Sequence, residues 1–251
     1  FITAGFGENT AQALVNELGG KGKVFMSRGT PGTSVDKRHA DGAMHVFNQY
    51  PDIEIIEYYS YWDDRTTQQE TAKALTAHPD VAGIWAQAGE YGAIQALLDR
   101  GGDLVPVTGE NSNGFRTALA DPALQGRGLR GVSSGAPPAQ SGYALKLMME
   151  ILTGQRELEP MNIEYPLPWV PAADVKLCEG EKFENGCNVF KEDLVPTSFV
   201  TEVLDPVLLP ELSIHSALDG KPVAGATIQP LPKEVLRAPN EPGINCQNCE
   251  A

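Results

Sequence analysis

Cysteine is scarce. The 251 residues hold four, and none precedes Cys178. This excludes disulfides and thiolate metal sites from the first two thirds of the chain. Histidine is equally sparse: His39, His45, His78 and His215 are scattered, with no HExxH pair to hold a catalytic zinc. No apolar run reaches the ~20 residues needed to span a bilayer as a helix. Positive charge is in deficit, with 19 Lys and Arg against 33 Asp and Glu and a net charge of −14. That balance argues against nucleic acid and against an anionic membrane surface as partners. Gly19-Gly20-Lys21-Gly22-Lys23 is not GxxxxGK[ST], and it precedes a strand instead of following one. There is no GxSxG elbow. Asp63 and Asp64 are adjacent carboxylates on one loop, which alone do not make a glycosidase. No nucleophile, base and orienter can be assembled, so the chain does not read as an enzyme.

What is present is organised around residues 18–42. Leu18-Gly19-Gly20 closes a helix, since glycine accepts the left-handed C-terminal position without steric cost. Residues 23–27 form a short strand with Val24, Phe25 and Met26 at its centre. Gly29 to Gly32 make a turn in which Pro31 fixes one φ angle. Thr33 or Ser34 caps the next helix, and Asp36 suits its first turn. The turn therefore lies at the carboxyl end of a strand, where open α/β sheets bind ligands.

The pattern repeats along the chain. Helices are expected over 8–18, 34–50, 66–77, 91–100, 114–120 and 139–152, and strands over 23–27, 53–59, 81–86, 104–108, 129–133 and 162–167. The second helix should bury Val35, Ala43, Val46 and Phe47. Alternating strands and helices imply a parallel sheet with right-handed crossovers, hence a three-layer αβα unit over 1–167. From Pro168 the periodicity fades and prolines punctuate the chain, so 168–251 reads as an irregular extension. Asp219-Gly220 is a candidate hairpin turn.

The cysteines fall in this extension as two close pairs, Cys178 with Cys187 and Cys246 with Cys249. In an exported protein such spacing suggests two local disulfides. A zinc site would need four thiolates to converge across a long separation, and no histidine flanks either pair. Cys246 and Cys249 also have redox-pair spacing, but not the strand-to-helix context that lowers a thiol pKa.

Gly19-Gly20-Lys21-Gly22, Pro31-Gly32-Thr33-Ser34, Tyr61-Trp62-Asp63-Asp64-Arg65, Ala77-His78-Pro79-Asp80-Val81 and Gly92-Ala93-Ile94-Gln95-Ala96-Leu97 follow one another in order. In that order and spacing, residues 1–175 resemble the second lobe of ribose-binding-like (type I) periplasmic sugar-binding proteins of ABC importers. The resemblance implies an αβα lobe, a sugar or polyol as ligand, no cofactor, a periplasmic location and an ABC permease as partner.

It also implies a site. Trp62 matches a stacking aromatic, and aromatic faces cover the apolar side of a sugar ring. Glu110 aligns with a carboxylate that accepts sugar hydroxyls, and Asn111 beside it offers a donor and an acceptor. The plainer role of Asn111 or Ser112 is to cap the following helix. Where the family has an RxxG arginine, this chain has His39, with Arg38 adjacent. Where it has Asn-Asp after a strand, this chain has a shortened loop with Gln87 and Glu90. Ser134 stands at the hinge position, and Arg28 at the carboxyl end of the first strand. These departures argue for a ligand other than ribose.

The family's first lobe precedes the point where Phe1 aligns. The late helix carries Tyr143, Ala144, Leu147, Met148, Ile151 and Leu152, too much apolar surface to leave exposed. The expectation is half of a clamp, its N-terminal lobe on a separate or cleaved chain; the alternative is that 168–251 replaces that lobe. A cytoplasmic sensor domain of a sugar-responsive regulator shares the fold. The absence of a helix-turn-helix, the acidity and the paired cysteines favour the extracytoplasmic reading.

Overall fold

A computed structural model describes residues 4–135, 138, 140–157, 168–201 and 211–227. The chain begins with α1 (Ala4–Leu18), β1 (Lys21–Arg28), α2 (Ser34–Phe47), β2 (Asp52–Tyr59), α3 (Asp64–Ala77), β3 (Val81–Ala86) and α4 (Glu90–Arg100). It continues with β4 (Val107–Thr108), α5 (Asn113–Ala120), α6 (Pro122–Gly126), β5 (Val132–Ser134) and α7 (Gln140–Leu152). The extension contributes β6 (Trp169–Pro171), a 3-10 turn (Ala172–Asp174) and α8 (Ile214–Leu218).

The sheet is parallel, in the order β2-β1-β3-β4. Chain order reverses between β1 and β3, which makes their carboxyl ends the topological switch point. β5 joins the far edge through a parallel bridge, Gly109 to Ser133, and pairs antiparallel with β6. Alternation along the strands sorts two cores. Val24, Met26 and Trp85 pack on Phe6, Leu14, Val15, Val46 and Phe47 of α1 and α2. Phe25, Ile84 and Val107 face Leu75, Ile94, Leu97, Phe115 and Leu119 of α3, α4 and α5. Strands buried on both faces explain the near-continuous apolar runs of β1 and β3.

The caps explain the helix starts. Thr33 Oγ1 accepts from the Asp36 amide, Asp63 Oδ1 from the Thr66 amide and Ser112 Oγ from the Phe115 amide. Several boundaries differ from the sequence expectation. α1 starts at Ala4 because packing on α2 tolerates Gly5 and Gly7 inside a helix. Val35 is exposed, pointing away from the face that buries Ala43 and Val46. Asp219 caps the C-terminus of α8 instead of turning a hairpin. The expected strand at 162–167 lies outside the described residues.

The extension holds a small core of its own. The Cys178–Cys187 disulfide packs with Phe190, Val195 and Ile214. Closing a loop of sequence separation 9 contributes about 2–3 kcal/mol in the chain-entropy picture. Cys246 and Cys249 lie outside the described residues. No helix among the described residues is long and apolar enough to cross a membrane, and no cluster among them could hold a metal ion.

His39 belongs to the fold and lies away from solvent. Its ring is buried 4.5 Å from Phe6 in the α1–α2 contact. Burial lowers its pKa from 6.5 to about 4, against the pull of Asp36. The unfolded chain therefore binds a proton below pH 6.5 that the folded chain refuses. Folding stability is complete above about 6.5 and declines as pH falls toward 4. Because other groups titrate in this window, the test is a difference: the urea-unfolding stability of the parent relative to His39→Leu should fall as pH drops from 6.5 toward 4.

Candidate crevice at the sheet switch point

Arg28 ends β1, and its guanidinium forks onto Asp36 in the first turn of α2. Nε donates to Oδ1 at 3.2 Å and Nη2 to Oδ2 at 2.7 Å. Nη1 reaches Glu57 Oε2 at 3.1 Å, and the group lies 5.2 Å from the centre of the Tyr59 ring. A planar guanidinium on a carboxylate is a directional pairing, stronger than neutral hydrogen bonds. Asp36 is buried and also accepts from the Gly29 amide at 3.0 Å.

Gln87 extends the network across the switch point. Its Nε2 donates to Asp36 Oδ1 and to the Asp36 carbonyl, both at 3.0 Å. Its Oε1 accepts from the Trp62 indole nitrogen at 3.3 Å. Tyr61 and Trp62 both take positive φ, 57° and 60°, uncommon for residues of this size. The indole lies on Gly29, where any Cβ would collide with it. Trp62 is thus half-buried at the crevice and fixed in orientation, with Gln87 behind it. Gln87 is fully buried and spent on this internal work.

The second half of the crevice forms at β3, β4 and β5. Glu90 opens α4 and is fully buried; its Oε1 accepts from the Glu110 amide at 2.7 Å. Gly109 makes room for that carboxyl, because a Cβ there would overlap it. Glu90 Oε2 has no hydrogen-bond partner among the described residues. Burial raises its pKa well above the usual carboxylate range, and the neighbouring Glu110 raises it further. Glu110 is half-buried, and desolvation pushes it up to about 8. Asn111 is buried with its amide against Gly135. Ser134 and Thr108 are buried at the adjoining strand ends, their hydroxyls unpartnered among the described residues. Buried polar atoms of this kind cost free energy unless some group satisfies them.

The structure therefore brings Arg28, Trp62, Gln87, Glu90, Glu110, Asn111 and Ser134 to the carboxyl ends of the strands. It does not bring His39 there. Arg38 sits on the exposed side of α2. Asp36 is the residue sequence reasoning passes over: the first turn of a helix accounts for an aspartate without any further partner. Arg116 is the other. It is a buried cation in α5 whose Nε donates to Ser133 Oγ at 3.0 Å. Its position inside an apolar helical stretch, between Phe115 and Ala118, is the one available signal.

The chain matches the family profile described as periplasmic binding protein domain over residues 2–156. A xylitol-binding protein of Mycolicibacterium smegmatis is 28% identical over 107 residues, covering 41% of this chain and 31% of that protein. Among solved structures, a solute-binding protein of Actinobacillus succinogenes with bound D-allose superposes with a TM-score of 0.58 at 23% identity. It covers 68% of this chain and 59% of its own. A galactofuranose-binding protein gives 0.60 at 17% identity, with 68% and 60% covered. The chain thus spans about a third of the first relative and three fifths of these structures. With the αβα sheet, its switch-point crevice and a profile match over more than half its length, the chain belongs to the periplasmic binding protein domain family, whose members are non-catalytic binding domains of the periplasm.

Proposed function

We propose that this chain is the second lobe of an extracytoplasmic solute-binding protein serving an ABC importer, and that it takes a sugar or polyol at the switch-point crevice. The observation that carries the reading is Trp62, held by Gln87 beside a cluster of buried polar groups. A fixed aromatic face next to hydroxyl and carboxyl groups suits a ligand with an apolar C–H side and a hydroxylated rim. The Cys178–Cys187 disulfide is consistent with an oxidising compartment. Relatives named for xylitol, D-allose and galactofuranose belong to the same chemical class.

The carboxyl groups narrow that class. A glutamate held neutral donates as well as accepts, so the half-buried Glu110 can meet either end of a hydroxyl, with the fully buried Glu90 behind it. Arg28 is already neutralised by Asp36 and Glu57. A crevice built this way favours uncharged polyols over sugar phosphates and uronates.

The reading includes a first lobe. On α7, Leu145 is 57%, Met148 49%, Met149 50% and Leu152 72% exposed. Four large apolar side chains on one short helix form a patch that soluble proteins normally cover. An N-terminal lobe, joined by hinge crossings, would cover it and close the crevice around the ligand.

Thermal unfolding of the protein with its N-terminal lobe should rise in the presence of xylitol, D-allose or D-arabinose. Saturation a hundredfold over the dissociation constant is worth about 2.7 kcal/mol. Trp62→Ala should weaken that response at least tenfold. No shift across the polyol panel, with a shift by an anionic sugar, would overturn the reading.

Glu110 sets a separate expectation. Its folded pKa of about 8 stands above the usual 4.5, so the folded chain keeps a proton that the unfolded chain releases. Its contribution to stability is present below pH 4.5 and lost as pH rises toward 8, by at most about 1.4 kcal/mol per pH unit. Glu110→Gln should remove this slope in denaturant titrations between pH 5 and 8.

A further inference from the structure

We infer that the disulfide-closed extension over 176–201 is a positioning device for the crevice, holding the loop that presents Glu110 and Asn111. The inference rests on the reading that this loop faces the ligand. It goes beyond that reading by assigning a role to a segment outside the residues matched by the family profile.

The loop has little support from the sheet, since β4 contributes only two residues. Its anchorage comes from the extension instead. The Asn113 amide donates to the Phe199 carbonyl at 2.7 Å, and the Gly114 amide to the Thr197 carbonyl at 2.8 Å. These are the first amides of α5, the ones a helix leaves without intrahelical partners. The extension consumes them as a cap. Thr201 returns two bonds to the loop, its amide and its hydroxyl both donating to the Asn111 carbonyl at 3.2 Å.

Two side chains lock this contact from within. Asn113 bonds the backbone of Phe190 twice, its Nδ2 donating to the carbonyl at 2.9 Å and its Oδ1 accepting from the amide at 2.8 Å. Arg116 reaches the extension at the Asn188 carbonyl, 2.9 Å, and Thr201 Oγ1, 2.7 Å. Its Nε holds Ser133 Oγ, which in turn donates to the Glu110 carbonyl at 3.0 Å. Arg116 thus ties β5, the Glu110 backbone and the extension into one buried unit. A cation is costly to bury without such partners, so the network holds as a set.

The disulfide anchors the far end. The Cys178 amide donates to the Val189 carbonyl at 2.7 Å, and Phe190 follows directly in the cystine's apolar core. The link works with the bonds joining Asn188 to Lys176 and Asp174 to keep Asn188, Val189 and Phe190 in register with α5. The consequence is specific: loosening the extension should release the Asn113 and Gly114 amides and the loop before them, while β1 and β3 stay intact.

Amide hydrogen exchange on the full chain tests this without any ligand. Two variants are compared with the parent, Arg116→Met and the double substitution Cys178→Ala with Cys187→Ala. The expected result is exchange at least tenfold faster at Asn113 and Gly114, with Val24 to Met26 and Ile84 to Ala86 unchanged. Arg116→Lys should restore part of the protection. Unchanged exchange at Asn113 and Gly114 in both variants would overturn the inference. So would uniform acceleration across all strands in both, since the extension would then serve general stability. Xylitol and D-allose titrations on the parent run alongside. If neither protects the loop, the sugar reading fails, while the exchange comparison still decides the role of the extension.

Discussion

The pairing of Arg28 with Asp36 is the constraint from which the crevice is built. One carboxylate, buried in the first turn of α2, receives a two-pronged guanidinium, the Gly29 amide and the Gln87 side chain. These groups come from β1, the turn after it and the end of β3, so a single residue joins the strands on either side of the switch point. Gln87 then passes the constraint to Trp62. Remove the carboxylate and two buried polar groups lose their partner at once, which costs more than any one of the bonds contributes. The orientation of the indole therefore depends on a residue that need not touch ligand.

The two halves of the crevice are organised differently. The Arg28 half is rigid because charge pairs with charge across secondary-structure elements. The Glu110 half joins a two-residue strand to a helix and borrows its rigidity from the extension. Glu90 contributes from inside, offering one carboxyl oxygen to the Glu110 amide and leaving the other buried without a hydrogen-bond partner among the described residues. Gly29 and Gly109 serve the same purpose in the two halves. Each leaves the space of one Cβ, filled by the indole in one case and by a carboxyl in the other.

Much of the lobe is legible in the sequence because strands buried on both faces must be apolar and their connecting turns need Gly, Pro and a cap. β1, β3 and their following helices follow from that logic within a few residues. That Trp62 and Glu110 stand just after strands is legible too, whereas their selection as site residues comes from the resemblance. What the sequence does not disclose are pairings whose partners are far along the chain. Arg116 meets Asn188 and Thr201 at separations of 72 and 85 residues, and no local pattern encodes either. His39 shows the opposite case: the resemblance places it where the family has its RxxG arginine, but the close α1–α2 contact packs its ring on Phe6. Asp219-Gly220 has hairpin chemistry, yet one turn of helix before it finds a serine cap at Ser213 and ends there.

The acidity of the crevice follows from the same arrangement. In one half of the site the positive charge of Arg28 is consumed by Asp36 and Glu57; in the other the carboxyls of Glu90 and Glu110 are neighbours in a desolvated place. Two carboxylates so placed resist ionising together. A proton kept on one of them relieves the repulsion and supplies a donor where a carboxylate offers only acceptors. The same proton removes the negative charge that would otherwise have to be satisfied by a cation. A neutral, hydroxyl-rich ligand meets those conditions with its own donors and acceptors, whereas an anionic ligand would restore the repulsion that protonation had removed.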